Sequence, residues 1–95
     1  MSFRVLISKK ALSFLTLTPE KSRRLIREYC LALAGDPCPS KTGDRKRLHL
    51  GDYELYRMHV GHSYTVFYRI LPEEKTVKVL DIMTFEQAHR RYGRL

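Results

Sequence analysis

The stretch YELYRMHVGHSYTVFYRI, residues 53–70, decides the fold that this sequence predicts. Apolar and polar residues alternate on either side of Gly61-His62-Ser63, which is typical of two antiparallel strands joined by a tight turn. Because successive side chains point to opposite faces of a strand, the hairpin has two distinct faces. The larger apolar set consists of Tyr56, Met58, Val60, Val66, Tyr68 and Ile70. The opposite set consists of Arg57, His59, Thr65, Phe67 and Arg69.

The segments before the hairpin predict a strand followed by two helices. Residues 3–7, FRVLI, are rich in strand-forming residues. Ser8 is placed to cap a first helix, and Thr18 to cap a second one that has Pro19 at its first position. Gly35 is predicted to end the second helix in the left-handed conformation.

The complete pattern predicts a single α+β domain over residues 1–95. A loop over residues 35–47 is followed by strands at 53–60, 64–71 and 76–82, and a short helix is predicted around 86–92 in the C-terminal tail. The order is strand, helical hairpin and a three-stranded antiparallel meander (βααβββ). The two helices must cover one face of the sheet, and the other face is expected to be open.

The charge balance is the strongest compositional signal. Eighteen Lys and Arg against ten Asp and Glu give a net charge of +8 on 95 residues. Such a field attracts nucleic acid or an acidic protein partner. The alternative is a basic surface that only keeps the protein in solution.

The N-terminus and the cysteines bear on the compartment. The segment MSFRVLISKK has an arginine inside its short apolar part and lacks a small-residue cleavage site, so we expect a cytoplasmic protein without membrane contact. Cys30 and Cys38 form no CxxC pair and no zinc pattern with the four histidines. We therefore expect no metal and no cofactor.

The predicted open face has the composition of an RNA-binding surface. The basic run Arg45-Lys46-Arg47 enters it, arginine and lysine bind phosphate, and Phe67 is suited to stack on a base. The alternative is a solvated sheet face with ordinary cross-strand pairs. Asp81 lies on an otherwise apolar strand, and we expect it to bond the tail or a neighbouring arginine.

The segment LHLGDYELYRMHVGHSYTVFYRI, residues 48–70, followed by KTVKVLDI, resembles the RelE/ParE superfamily of toxins from toxin–antitoxin pairs. The family pattern is matched at Leu50-Gly51, Tyr56-Arg57, Val60-Gly61, Tyr64 and Tyr68. The resemblance implies a metal-independent endoribonuclease, an mRNA interferase that cuts messenger RNA on the ribosome and inhibits translation. It also implies an acidic antitoxin as the partner.

The resemblance also implies roles for individual residues. The expected catalytic residues are Arg57, His59, His89 and Tyr92. The residues expected to bind RNA or the ribosome are Arg45, Lys46, Arg47, Phe67, Arg69 and Arg90.

Two positions depart from the family pattern. Thr65 and Phe85 stand where the family usually has arginine, and Arg69 and Arg90 are the candidate substitutes. These departures keep a second reading open, that of a RelE/ParE-fold protein that acts by binding without cleavage. Gyrase inhibition is one form of it, and RNA or antitoxin binding is another.

Overall fold

The computed structural model describes residues 2–37, 45–50 and 53–92. The elements, in chain order, are β1 (Arg4–Ile7), α1 (Lys9–Thr16), α2 (Glu20–Ala32), β2 (Arg45–Leu50), β3 (Tyr53–Val60), β4 (Tyr64–Leu71), a 3-10 turn (Pro72–Glu74), β5 (Thr76–Thr84) and α3 (Phe85–Tyr92). The α+β class and the order of the predicted elements are confirmed, and β3 and β4 have the predicted bounds. Cys38 and part of the predicted loop lie outside the described residues.

The sheet has five strands in the order β1-β5-β4-β3-β2. β1 runs parallel to β5, and the other neighbours are antiparallel. The sequence predicts four strands and places residues 45–47 in a loop. They begin the edge strand β2, which pairs with β3 from Arg45 opposite Met58 to Leu50 opposite Tyr53. Charged residues are typical of edge strands, where they discourage pairing with a further chain.

The first core lies between the sheet and the helical pair α1–α2. Its helix residues are Ala11, Leu15, Ile26, Cys30 and Leu33. Its strand residues are Met58, Val60, Val66, Tyr68, Val77, Val79 and Ile82, with Tyr56 and Ile70 partly buried beside them. The predicted apolar face of the hairpin is therefore confirmed. The Tyr68 hydroxyl satisfies its polar group by donating to the Pro37 carbonyl at 2.9 Å.

A second, smaller core occupies the face that the sequence left open. Leu55, Phe67, Met83 and Ala88 are buried together, and Leu48 and Leu80 pack against them. Ala88 belongs to α3, so this helix lies across the sheet opposite α1 and α2. The prediction of an open face is wrong where α3 covers it, because the apolar side chains on that face come from separate segments of the chain.

A capping box starts α3. The Gln87 amide donates to the Thr84 hydroxyl at 3.1 Å, and the Thr84 amide donates to the Gln87 side-chain oxygen at 3.0 Å. Each side chain thus satisfies a backbone group that the first turn of a helix cannot pair internally. The sequence contains this signal as Thr84-Phe-Glu-Gln87, three residues apart as the motif requires.

The helix boundaries correct two details of the prediction. Ser8 caps α1 as expected, and its Oγ accepts from the Ala11 amide at 3.1 Å. Thr18 is not the cap of α2, because its hydroxyl donates back to the Phe14 carbonyl at 2.7 Å and Pro19 takes the cap position. Gly35 does not have the expected left-handed conformation. Among the described residues, this conformation occurs at Gly61, in the turn between β3 and β4 (φ 61°), and at Lys75 (φ 48°).

Cys30 provides a pH-dependent test of the first core. Burial raises the pKa of its thiol from 9.0 to about 11. An unfolded thiol ionises first, so the free energy of unfolding should fall as the pH rises from 9 towards 11 and should be independent of this group below pH 9. In a Cys38→Ser background, iodoacetamide should leave folded protein unmodified at pH 8 and label it in denaturant. Rapid labelling without denaturant would contradict the buried placement.

The capping box provides a second test. Thr84→Ala should lower the free energy of unfolding by about 1 kcal/mol, since it removes an N-cap acceptor. Urea titration followed by circular dichroism measures the change. Thr16→Ala is the matched control, because the Thr16 hydroxyl is exposed and bonds only back to the Ser13 carbonyl of its own helix. Equal losses in the two variants would contradict a capping role for Thr84.

Candidate functional site

The strand register brings distant residues into rows beneath and beside α3. One row crosses four strands as Lys46, Arg57, Phe67 and Asp81. The next row, one step nearer the β3–β4 turn, contains His59, Thr65 and Met83. All of these residues alternate with the first core and therefore share the α3 face of the sheet.

Arg57 lies on the predicted face but is not at the surface. It is 5% exposed, between Lys46 on β2 and Phe67 on β4. Phe67, predicted to stack on RNA, is 1% exposed and belongs to the second core. α3 covers this part of the sheet, which sequence periodicity alone does not reveal. A guanidinium held in this environment acts more strongly on a nearby negative charge than one in water.

His59 is held by neighbours from two elements. Its Nδ1 atom lies 3.1 Å from the Thr65 hydroxyl oxygen on β4. Its ring lies 4.8 Å from the ring of Phe85, measured between centroids, with the planes tilted by 40°. The Phe85 amide donates to the Ser63 carbonyl at 2.8 Å, which attaches the start of α3 to the β3–β4 turn. His59 and Arg57 lie two residues apart on one face of β3, or roughly 7 Å along the strand.

The remaining candidates divide between two faces. In the basic run, Lys46 shares a face with Arg57, whereas Arg45 and Arg47 lie opposite Met58 and Tyr56 on the helical side. The guanidinium of Arg45 donates to the Asp36 carbonyl, and Arg47 lies 3.6 Å from the Glu54 carboxylate. The three cations predicted to act together are therefore separated by strand alternation.

Arg69 is on the α3 face but far from His59. It lies four residues along β4 from Thr65, or roughly 13 Å at strand spacing, and pairs in register with Lys78. Phe67 lies between Thr65 and Arg69. The expectation that Arg69 replaces an arginine at position 65 stays a prediction, and the separation along β4 counts against it.

α3 carries the C-terminal candidates. His89 and Arg90 are exposed. His89 lies one helical turn beyond Phe85, so both project from the same side of α3. Tyr92 is the last residue of the helix, and its side chain lies outside what the structure describes.

Asp81 connects three elements around this site. Its carboxylate lies 3.1 Å from Lys10 of α1 and 3.7 Å from Arg91 of α3, and it accepts from the Ile82 amide at 2.9 Å. The prediction that Asp81 bonds an arginine or the tail is confirmed. Phe67 separates Asp81 from Arg57 in the row, and two strand spacings are roughly 10 Å.

A surface cleft of about 400 Å³ lies between α1, β5 and α3, next to Asp81. Phe14, Leu17 and Met83 contribute apolar lining, and neither Arg57 nor His59 borders it. Within residues 2–37, 45–50 and 53–92, no three His, Cys, Asp or Glu side chains are grouped to hold a metal ion. No helix in these ranges is both long enough and apolar enough to cross a membrane.

Residues 5–88 match the family of ParE toxins of the type II toxin–antitoxin system parDE. The chain therefore belongs to the RelE/ParE superfamily of toxins. No curated protein sequence matches the chain.

Solved structures give the same fold. The archaeal RelE–RelB complex from Pyrococcus horikoshii OT3 is 30% identical, with a TM-score of 0.74 over 88% of this chain and 96% of that one. The RelBE2 toxin–antitoxin complex from Mycobacterium tuberculosis is 21% identical, with a TM-score of 0.76 over 88% of this chain and 99% of that one. The isolated E. coli RelE toxin is 14% identical, with a TM-score of 0.70 over 95% of this chain and 98% of that one.

Asp81 variants separate its charge from its hydrogen bond. Asp81→Ala should lower the free energy of unfolding by about 2 kcal/mol, because it leaves the Ile82 amide without its acceptor and also removes two ion pairs. Asp81→Asn keeps an acceptor oxygen and should cost roughly 0.5 kcal/mol. Urea unfolding measures both, with Glu73→Ala in the exposed turn as control. A larger loss for the asparagine than for the alanine variant would contradict this account.

Proposed function

We propose that the chain is the toxin of a type II toxin–antitoxin pair and that it inhibits translation by cleaving messenger RNA on the ribosome. The observation that carries the proposal is the pair Arg57 and His59, a fixed cation and an imidazole on one face of β3. Membership of the superfamily and the net charge of +8 support it.

The reaction that fits these residues is attack by the 2′-hydroxyl of RNA on the adjacent phosphate. The hydroxyl loses its proton, its oxygen bonds to phosphorus, and the bond to the 5′-oxygen breaks as that oxygen gains a proton. The products are a 2′,3′-cyclic phosphate and a 5′-hydroxyl. Negative charge increases on the phosphate oxygens, so a preorganised cation lowers the barrier most effectively.

Arg57 supplies that cation in the proposal through its electric field, because its side chain is only 5% exposed. His59, which is half-buried, contacts the phosphate, either as a hydrogen-bond donor or through proton exchange. His89 and Tyr92 on α3 are the further candidates for the proton transfers, and Lys46 and Arg90 bind the RNA backbone on either side. The proposal requires no metal ion or cofactor.

The net charge and the similar structures support two kinds of partner, an acidic antitoxin and RNA. Two of the similar structures are toxins in complex with an antitoxin, RelB or its counterpart in RelBE2. A chain of net charge +8 suits an acidic antitoxin as well as the phosphates of messenger and ribosomal RNA. The proposed place of action is the cytoplasm, where translating ribosomes are found.

A second candidate function is binding without cleavage, such as gyrase inhibition. The matching family is described by its ParE toxin, which favours this candidate. Thr65 and Phe85 at the expected arginine positions also favour it, as does the distance of roughly 13 Å between Thr65 and Arg69 along β4.

The histidines of the hairpin provide a matched pair of variants. His59→Ala should lower the rate of mRNA cleavage on translating ribosomes by about 10²–10³, the usual cost of removing a group that stabilises charge in the transition state. His62→Ala is the control, because His62 lies three residues away in the exposed β3–β4 turn. Primer extension on the messenger maps the cuts, and a supercoiling assay with purified gyrase measures the second candidate.

The outcomes separate the two functions. Cleavage by the wild type and by His62→Ala, with strong loss in His59→Ala, supports the nuclease. If the wild type leaves messenger RNA intact but inhibits gyrase, the nuclease proposal fails and the binding function replaces it. Equal cleavage by His59→Ala and the wild type would remove His59 from the reaction.

A further inference from the structure

The Thr65 side chain is the most unusual polar group near the site. It is 0% exposed and lies on the sheet face that α3 packs against. Its hydroxyl oxygen is 3.1 Å from Nδ1 of His59. β3 and β4 place the two residues directly opposite each other, so the strand register fixes the pair. In the family pattern, Thr65 stands where an arginine is expected, and the pattern alone gives the threonine no role.

The direction of this hydrogen bond follows from burial. A buried hydroxyl must donate its proton, because a donor without a partner costs more free energy than an acceptor with a vacant lone pair. In the described part of the chain, the hydrogen bond of the Thr65 side chain goes to His59. The hydroxyl therefore donates to Nδ1, and Nδ1 must be unprotonated in neutral His59. The ring proton of the neutral imidazole then lies on Nε2.

We infer that Thr65 is a positioning residue that holds neutral His59 as the Nε2–H tautomer, so that His59 presents a hydrogen-bond donor to a phosphate oxygen of the substrate. The inference rests on the proposed function for the substrate but not for the tautomer. The Phe85 ring, 4.8 Å from the imidazole, limits rotation of the ring and supports the same orientation. Both residues that depart from the family pattern thus contact His59.

This assignment narrows the role of His59. Proton uptake by the neutral ring has to occur at Nδ1, which Thr65 already occupies, so the neutral ring is a poor base for the 2′-hydroxyl. An Nε2–H group aimed at a phosphate oxygen instead stabilises the charge that develops during attack. Thr65 and His59 together would supply a donor of the kind that an arginine at position 65 would supply alone.

The test is a comparison of Thr65→Val, which removes the hydroxyl at nearly constant shape, with Thr65→Ser, which keeps it. Two-bond ¹H–¹⁵N spectra of the imidazoles, recorded where the histidines are neutral, report the tautomer and the hydrogen bond directly. In the wild type and in Thr65→Ser, Nδ1 of His59 should resonate as an unprotonated nitrogen that accepts a hydrogen bond. In Thr65→Val this signature should be lost.

Thr76→Val is the control for removing a buried hydroxyl elsewhere. Thr76 is 1% exposed, and its hydroxyl donates to the Glu74 carbonyl at 3.0 Å. It pairs with Leu71, at the opposite end of the β4–β5 ladder from Thr65 and His59. This variant should leave the His59 resonances unchanged. A protonated Nδ1 in the wild type, or identical His59 spectra in the wild type and Thr65→Val, would overturn the inference.

Cleavage provides the second measurement. Thr65→Val should cleave messenger RNA about tenfold more slowly than the wild type, with Thr65→Ser close to the wild-type rate, because one positioning hydrogen bond is removed and then restored. A full rate in Thr65→Val with an altered tautomer would overturn the role in positioning the donor. If the wild type does not cleave at all, the proposed nuclease function fails, while the spectra still decide whether Thr65 sets the tautomer.

Discussion

The packing of α3 on the sheet is the interaction on which the rest of the site depends. The sheet has apolar side chains on both faces, and the helical pair α1–α2 covers only one of them. Eight residues at the C-terminal end cover the centre of the other, through Ala88 over Leu55, Phe67 and Met83. So short a helix is marginal alone, and its stability must come from packing and from its ends.

Both ends of α3 are held by specific contacts. At the start, the capping box of Thr84 and Gln87 and the bond from Phe85 to Ser63 fix the position of the first turn. Near the end, Arg91 approaches the carboxylate of Asp81, and Lys10 of α1 approaches the same carboxylate from the other side. Glu86 in the first turn and the basic residues in the last turn also complement the helix dipole. These contacts at both ends fix the position of α3 on the sheet.

The sequence predicts the parts of this structure that depend on local pattern. Alternation gives β3 and β4 with their observed bounds, and Ser8 before an apolar stripe gives α1 with its cap. The edge strand β2 was missed because its first three residues are charged, which resembles a loop until the pairing with β3 is known. The sequence of α3 has an apolar side that includes Phe85 and Ala88. Nothing local to this segment shows that Ala88 completes a core with residues from three strands.

The sequence predicts which face of the sheet carries the candidate site residues, but it does not predict how deeply each of them is buried. Strand alternation correctly groups Arg57, His59 and Thr65, since a period of two is a local property. Burial is not local: Arg57 is 5% exposed, and the helix α3 that packs on this face of the sheet begins more than twenty-five residues later in the chain. Arg69 shares this face but lies four residues along β4 from Thr65, the residue opposite His59.

The two departures from the family pattern have a physical consequence when they are considered together. An exposed arginine stabilises a phosphate by charge, but it must give up side-chain freedom and compete with water at every encounter. Thr65 and Phe85 instead restrain a side chain on the sheet, so in the proposed reaction His59 would lose little freedom on binding substrate. Preorganised donors contribute most where water is excluded, and the half-buried position of His59 beside the enclosed Arg57 provides such an environment. Compared with an exposed arginine, a restrained His59 attracts a distant phosphate less strongly but holds its hydrogen-bonding atoms in a fixed position. The other basic residues of the chain, with a net charge of +8, supply the long-range attraction.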